Sequence, residues 1–87
     1  MLKLVVTYKT PNDAFTSETE ETYDTLREAQ LAIENQWELD LENSDVWVEE
    51  LSPEQREDLF PQKINETLFR CDKIPSYDYV EYQIVEG

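Results

Sequence analysis

Eighty-seven residues are enough for one domain with one modest core, and two Trp, five Tyr and three Phe are too many aromatics for a disordered acidic tail. Twenty-one acidic against seven basic side chains give a formal net charge of −14, which argues against nucleic acid and anionic membrane surfaces as direct partners. A single glycine at position 87, no histidine and one cysteine, Cys71, exclude glycine-rich phosphate loops, histidine-based triads and zinc clusters.

Leu2, Leu4, Val6 and Tyr8 alternate with Lys3, Val5, Thr7 and Lys9, the two-residue period of a strand with one apolar face. Thr10-Pro11-Asn12-Asp13 is a turn built without glycine. Phe15 to Tyr23 then reads as a solvated edge strand, with Phe15 and Tyr23 on one face and Glu18 and Glu20 on the other. Thr25 and Glu28 have the spacing of a capping box, so a helix is expected over about residues 26–42. Its core-facing stripe is Leu26, Ala29, Ile33, Trp37 and Leu41.

Asn43-Ser44 breaks that pattern, and Asp45 to Glu50 reads as a short strand. Ser52 followed by Pro53 starts a second, short helix over about residues 53–60, ended by Pro61. Gln62 to Phe69 fits either a helical turn or the lead into a strand. Asp78, Val80, Tyr82 and Ile84 form one face of a late strand, hairpinned to Thr67–Asp72 through Lys73-Ile74-Pro75-Ser76. The expected fold is α+β over residues 1–87: an antiparallel sheet of about four to five strands with the main helix across one face.

The charge is confined to one block. Between Asp13 and Asp58 sixteen acids face two bases, Arg27 and Arg56, whereas the remaining 41 residues carry five of each sign. A surface evolved only for solubility would intersperse the signs. Glu34, Glu38 and Glu42 repeat every four residues along one flank of the main helix, where like charges at that spacing repel by a few tenths of a kcal/mol per pair. Their separation of about 6 Å along the axis is comparable to that of successive phosphates. In the following strand, Asp45, Trp47 and Glu49 share a face opposite Val46 and Val48; if the valines pack inward an indole is displayed between carboxylates, with Glu50 adjoining, and if they face out Trp47 is core. The candidate partner-binding residues are therefore Glu34, Glu38, Glu42, Asp45, Trp47, Glu49 and Glu50.

No catalytic, metal or cofactor site is expected. Cys71 lacks a histidine base and fits a buried structural role. The run from Asp40 resembles a calcium loop only in part, because its sixth and twelfth positions are Asp45 and Leu51 rather than Gly and Glu. The N-terminal segment does not read as a signal peptide, and no apolar run approaches the roughly 20 residues of a membrane span, so a cytoplasmic location is expected.

Small size, an acidic block across Asp13 to Asp58 and an α+β pattern without catalytic residues resemble the inhibitors that phages and other mobile elements direct at host nucleic-acid enzymes. Anti-restriction, anti-CRISPR and DNA-glycosylase-inhibitor proteins are of this kind. The resemblance lies in composition and transfers no residue roles. It implies a stoichiometric inhibitor that mimics nucleic acid and binds a basic protein. The alternative is an acidic adaptor that binds a basic protein without displacing nucleic acid.

Trp47→Ala tests the display of the indole. An interface anchor loses about 2 kcal/mol or more of partner affinity with little change in melting temperature, whereas a core anchor costs roughly 3–5 kcal/mol of folding stability. The expected outcome is the loss of affinity, read from a titration and a thermal melt on one preparation.

Overall fold

The computed structural model describes residues 1–43, 50–74 and 77–87. The elements in chain order are β1 (Leu2–Lys9), β2 (Ala14–Glu18), α1 (Leu26–Asn43), α2 (Pro53–Leu59), β3 (Gln62–Asn65), β4 (Leu68–Cys71) and β5 (Tyr79–Glu86). The strands form one antiparallel sheet in the order β2-β1-β5-β4-β3. The fold is α+β, with the first and last strands paired at its centre over eight positions, from Leu2 opposite Glu86 to Lys9 opposite Tyr79.

Alternation in the two central strands turns Leu4, Val6, Val80, Tyr82 and Ile84 to one side, where they are buried. The helical stripe meets them there: Ala29, Ile33, Trp37 and Leu41 are buried, and Leu26 packs at the edge. Phe69, Cys71 and Ile74 complete the core from the β4 side.

Side chains make the turns that glycine would otherwise make. Between β1 and β2 the Thr10 hydroxyl donates to the Asp13 carbonyl at 3.0 Å and accepts from the Asp13 amide at 3.0 Å. Between β3 and β4 the Asn65 side-chain carbonyl accepts from both the amide and the hydroxyl of Thr67, each at 2.9 Å. At the start of α1 the Thr25 hydroxyl accepts from the Glu28 amide at 3.2 Å, while the Glu28 carboxylate reaches the Asp24 amide rather than that of Thr25. Ser52 and Gln55 form a complete reciprocal capping box on α2, with Pro53 in its first turn.

One expectation is corrected, and one open reading is resolved. The edge strand does not run to Tyr23: β2 ends at Glu18, the Thr19 hydroxyl and amide both bond Leu4, and the chain leaves the sheet before Tyr23 returns to pair with Leu2. The return is two positions out of register with β2, so the pleat parity is kept and Tyr23 faces the helix side like Leu2. Gln62 to Phe69, open between helix and strand, is a hairpin of β3 and β4 with a bulge between Lys63 and Asn65. The Asp45–Glu50 strand expectation falls on residues outside those described, save Glu50.

Among the described residues, one acid lies inside. Asp40 is 5% exposed and accepts from Tyr8 Oη at 2.8 Å, Tyr82 Oη at 2.7 Å and Gln36 Nε2 at 3.1 Å. Both of its oxygens are satisfied, as a buried acceptor-only group requires. Burial first, and then Asp40 through its hydrogen bonds and its charge, push both tyrosine hydroxyls well above the ordinary tyrosine value.

Tyr82→Phe removes one of these donors and leaves an Asp40 oxygen without it. The expected loss at neutral pH is about 1.5–3 kcal/mol, the range for a hydrogen bond to a charged group. Above the ordinary value of 10.0 the unfolded chain releases the Tyr82 proton while the folded chain keeps it. Stability from Tyr82 is therefore complete below that pH and falls above it, by about 1.4 kcal/mol per pH unit. Urea titrations of the parent and Tyr82→Phe from neutral to alkaline pH should show the flatter alkaline limb in the variant.

Candidate acidic interface

The row predicted on α1 is present, but its members differ. Glu34 and Glu42 are exposed; Glu38 is half-buried and paired with Arg56 of α2. Arg56 lies on the inner side of α2 because Ser52 and Pro53 fix where that short helix starts. Its guanidinium carbon also sits 5.7 Å from the centre of the Trp37 ring, and Phe60 meets the same ring edge-on at 5.0 Å. The helix therefore does have relief from its like-charge spacing, supplied from outside by the second of the two cations in the acidic block. Glu38 thus differs from the exposed Glu34 and Glu42.

Hydrogen bonds from the core fix α2 beside α1. The carbonyl of Leu59 accepts from Trp37 Nε1 at 3.0 Å and from the Cys71 thiol at 3.1 Å, and the carbonyl of Asp58 accepts from Lys73 Nζ at 2.8 Å. Cys71 is thus a structural donor, and burial pushes its thiol up rather than toward a reactive thiolate. With α2 held there, Glu34 converges with Glu54, Glu57, Trp37 and Phe60 around a shallow cleft of about 350 Å³ that Arg56 also lines. Glu34, Glu57 and Asp58 border a second depression on the same face.

The acidic face is therefore two-helical. Glu54, Glu57 and Asp58 belong to it with Glu34, although the sequence reading placed no site residue on the second helix. The capping signals at Ser52-Pro53 and the lone Arg56 in an acidic run were the clues. Glu50 is exposed. Asp45, Trp47 and Glu49 lie outside the described residues. Among the described residues, no three His, Cys, Asp or Glu side chains are arranged to hold a metal ion. No described helix is long and apolar enough to cross a membrane.

Of the remaining cations, Arg27 is exposed near the start of α1, and the five outside the acidic block lie on or beside the strands. On the sheet face turned away from α1, Lys3 bonds Glu18 at 3.0 Å, and Arg70 pairs with Glu81 while stacking 4.8 Å from the Tyr79 ring centre. Arg70 faces Glu81 directly and Lys3 lies diagonal to Glu18, so opposite charges meet there across strands. The helical face has a large excess of one sign.

Arg56→Gln removes a partly exposed ion pair and a cation–π contact, each worth about 1 kcal/mol or less. The expected effect is a drop in melting temperature of about 4–8 °C at low salt, the shift that about 1 kcal/mol produces in a domain of this size. At about 1 M salt, where the screening length falls to roughly 3 Å, the difference should narrow. Melts of both proteins at the two salt concentrations measure it.

No protein-family model, curated protein or solved structure matches this chain.

Proposed function

We propose that this protein is a non-catalytic inhibitor that docks its two-helix acidic face on the basic, nucleic-acid-binding surface of a partner protein and keeps nucleic acid away from it. The observation that carries this reading is the convergence of Glu34, Glu54, Glu57 and Asp58 from two separately capped helices onto one face, with Glu42 exposed two turns further along α1. Backbone elements fix the spacing of these carboxylates. A groove that neutralises phosphates with Lys and Arg gains the same charge-assisted contacts from them.

The mechanism is competitive occupancy. Long-range attraction between a strongly negative face and a basic groove speeds encounter, and the docked inhibitor excludes the polyanion by volume and by charge. No bond is made or broken. The protein itself is repelled by nucleic acid, so the inhibited state is a binary protein complex. A phage or other mobile element is the source implied, in the manner of anti-CRISPR or anti-restriction proteins. A cytoplasmic location belongs to the same proposal and agrees with the free, buried Cys71 thiol.

The test starts with capture from a bacterial lysate and identification of the bound protein by mass spectrometry. The purified partner should then lose its nucleic acid as this protein is added, reaching full displacement near one equivalent. Glu34→Lys/Glu42→Lys/Glu57→Lys should weaken capture at least tenfold while circular dichroism stays native, since all three side chains are exposed. Glu38 is left intact in that variant because it is tied to Arg56. A ternary complex with nucleic acid would instead identify an adaptor, and undiminished capture by the triple variant would remove this face from the interface.

A further inference from the structure

The other flank of α1 carries a second surface of different character. Between α1 and the segment joining β2 to Tyr23 lies a groove of about 750 Å³, and its floor includes Leu4 and Tyr23. Its helical wall presents Leu31 and Leu39, which are 50% and 52% exposed, with Ala32, Asn35 and Gln36 between them. Beside the groove every residue of β2 is exposed, and Phe15, opposite Tyr8 and hence on the helix-facing side of the sheet, is 56% exposed. Glu20, Glu21 and Glu28 rim the groove, and none of its lining residues is Lys or Arg.

The topology explains the opening. α1 contacts the two central strands, and α2 is bonded to the β4 side through Cys71. No described helix covers the β2 flank of the sheet, although an apolar sheet face is ordinarily covered by one. From Glu28 to Leu39 the helical wall runs about 16 Å, or three turns. The two-residue excursion at Glu20-Glu21 holds Tyr23 in the floor and places two carboxylates at the rim.

We infer that this groove is a docking site for an amphipathic helix of a partner protein, with an apolar stripe facing Leu31, Leu39 and Phe15 and with Lys or Arg beside it facing Glu20, Glu21 and Glu28. The apolar wall requires the stripe, and the acidic rim selects its flanking charge. A second copy of this chain is the wrong occupant, because two molecules of net charge −14 would meet acid to acid. A strand added to the free edge of β2 would leave Leu31 and Leu39 uncovered. The site lies on the flank of α1 away from α2, so it stands or falls independently of the inhibitory reading of the acidic face.

The probe is a displayed library of random 16-residue peptides, selected on the immobilised protein and counter-selected on Leu31→Glu/Leu39→Glu. Both leucines are half exposed, so the variant should keep native circular dichroism, which is checked first. Enriched peptides should carry apolar residues at i, i+3 or i+4 and i+7 with an excess of Lys and Arg. The best of them, made synthetically, should bind at least tenfold more weakly to the leucine variant. It should also bind several-fold more weakly to Glu20→Gln/Glu21→Gln, which leaves the apolar wall intact. Enrichment of alternating, strand-like peptides would overturn the proposal. So would peptides bound equally by the leucine variant, peptides lost only in Glu34→Lys/Glu42→Lys/Glu57→Lys, no enrichment at all, or a concentration-dependent dimer abolished by Leu39→Glu.

Discussion

A buried acid, Asp40, sets the rotation of the main helix. Asp40 takes hydrogen bonds from Tyr8 on β1 and Tyr82 on β5, the two strands at the centre of the sheet, and from Gln36 one turn earlier on its own helix. Apolar packing of Ala29, Ile33, Trp37 and Leu41 would tolerate some rolling of a helix on a sheet, because burial is non-directional. Two tyrosine hydroxyls fixed on a rigid pair of strands tolerate little. An Asp40 carboxylate turned away from either of them would leave a buried polar group unpaired, at about 1–3 kcal/mol each. At roughly 100° per residue this phase also decides which side chains occupy the flanks. Glu34 and Glu38 are delivered toward α2, and Leu39 and Ala32 toward the open side of the sheet.

The second helix turns the first flank into a surface. Seven residues would not hold a helix in water alone, since nucleation is costly and few bonds follow it. Ser52, Gln55 and Pro53 reduce the cost at one end, and at the other the Leu59 carbonyl is gripped by Trp37 and Cys71. Arg56 then works at close range, bridging Glu38 and the Trp37 ring. The contrast with the far face of the sheet is physical as well as numerical. There Lys3 with Glu18 and Arg70 with Glu81 neutralise each other across strands, so the field of that face is short-ranged.

Period-two and period-3.6 patterns were legible where one face was strongly apolar. Leu2 to Tyr8, Val80 to Ile84 and the Ala29–Leu41 stripe all lie as their spacing requires. Asp40 was not legible, because an acid in the phase of the core stripe reads as solvated until its donors are placed. The signal was available in Tyr8 and Tyr82, two inward-facing tyrosines on strands whose hydroxyls each needed a buried partner. The end of β2 was missed because Thr19 supplies side-chain bonds that substitute for the ladder, and alternation of Thr and Glu does not register such a break. The acidic row was found from spacing alone. Its partner on α2 was not, because pairing between Arg56 and Glu38 depends on where two helices separated by sequence come to rest.

The arrangement has a stability cost that its own chemistry could avoid. Lysine at position 34 or 42 would convert like-charge neighbours on α1 into favourable i,i+4 pairs with Glu38, worth about 0.2–0.5 kcal/mol each. Across the interhelical cleft, a cation at position 54 or 57 would relieve Glu34 in the same way. Substitutions of this kind on an exposed face are the easiest stabilising changes a small domain has. The chain instead places its counter-charge at Arg56, where it also packs on Trp37, and leaves Glu34, Glu42, Glu54, Glu57 and Asp58 exposed. Solubility would be served equally well by mixed charge with the same magnitude of surface polarity. A large excess of one sign held at that cost on one face, beside a sheet whose other face carries paired charges, is the pattern that long-range attraction to a cationic surface would reward.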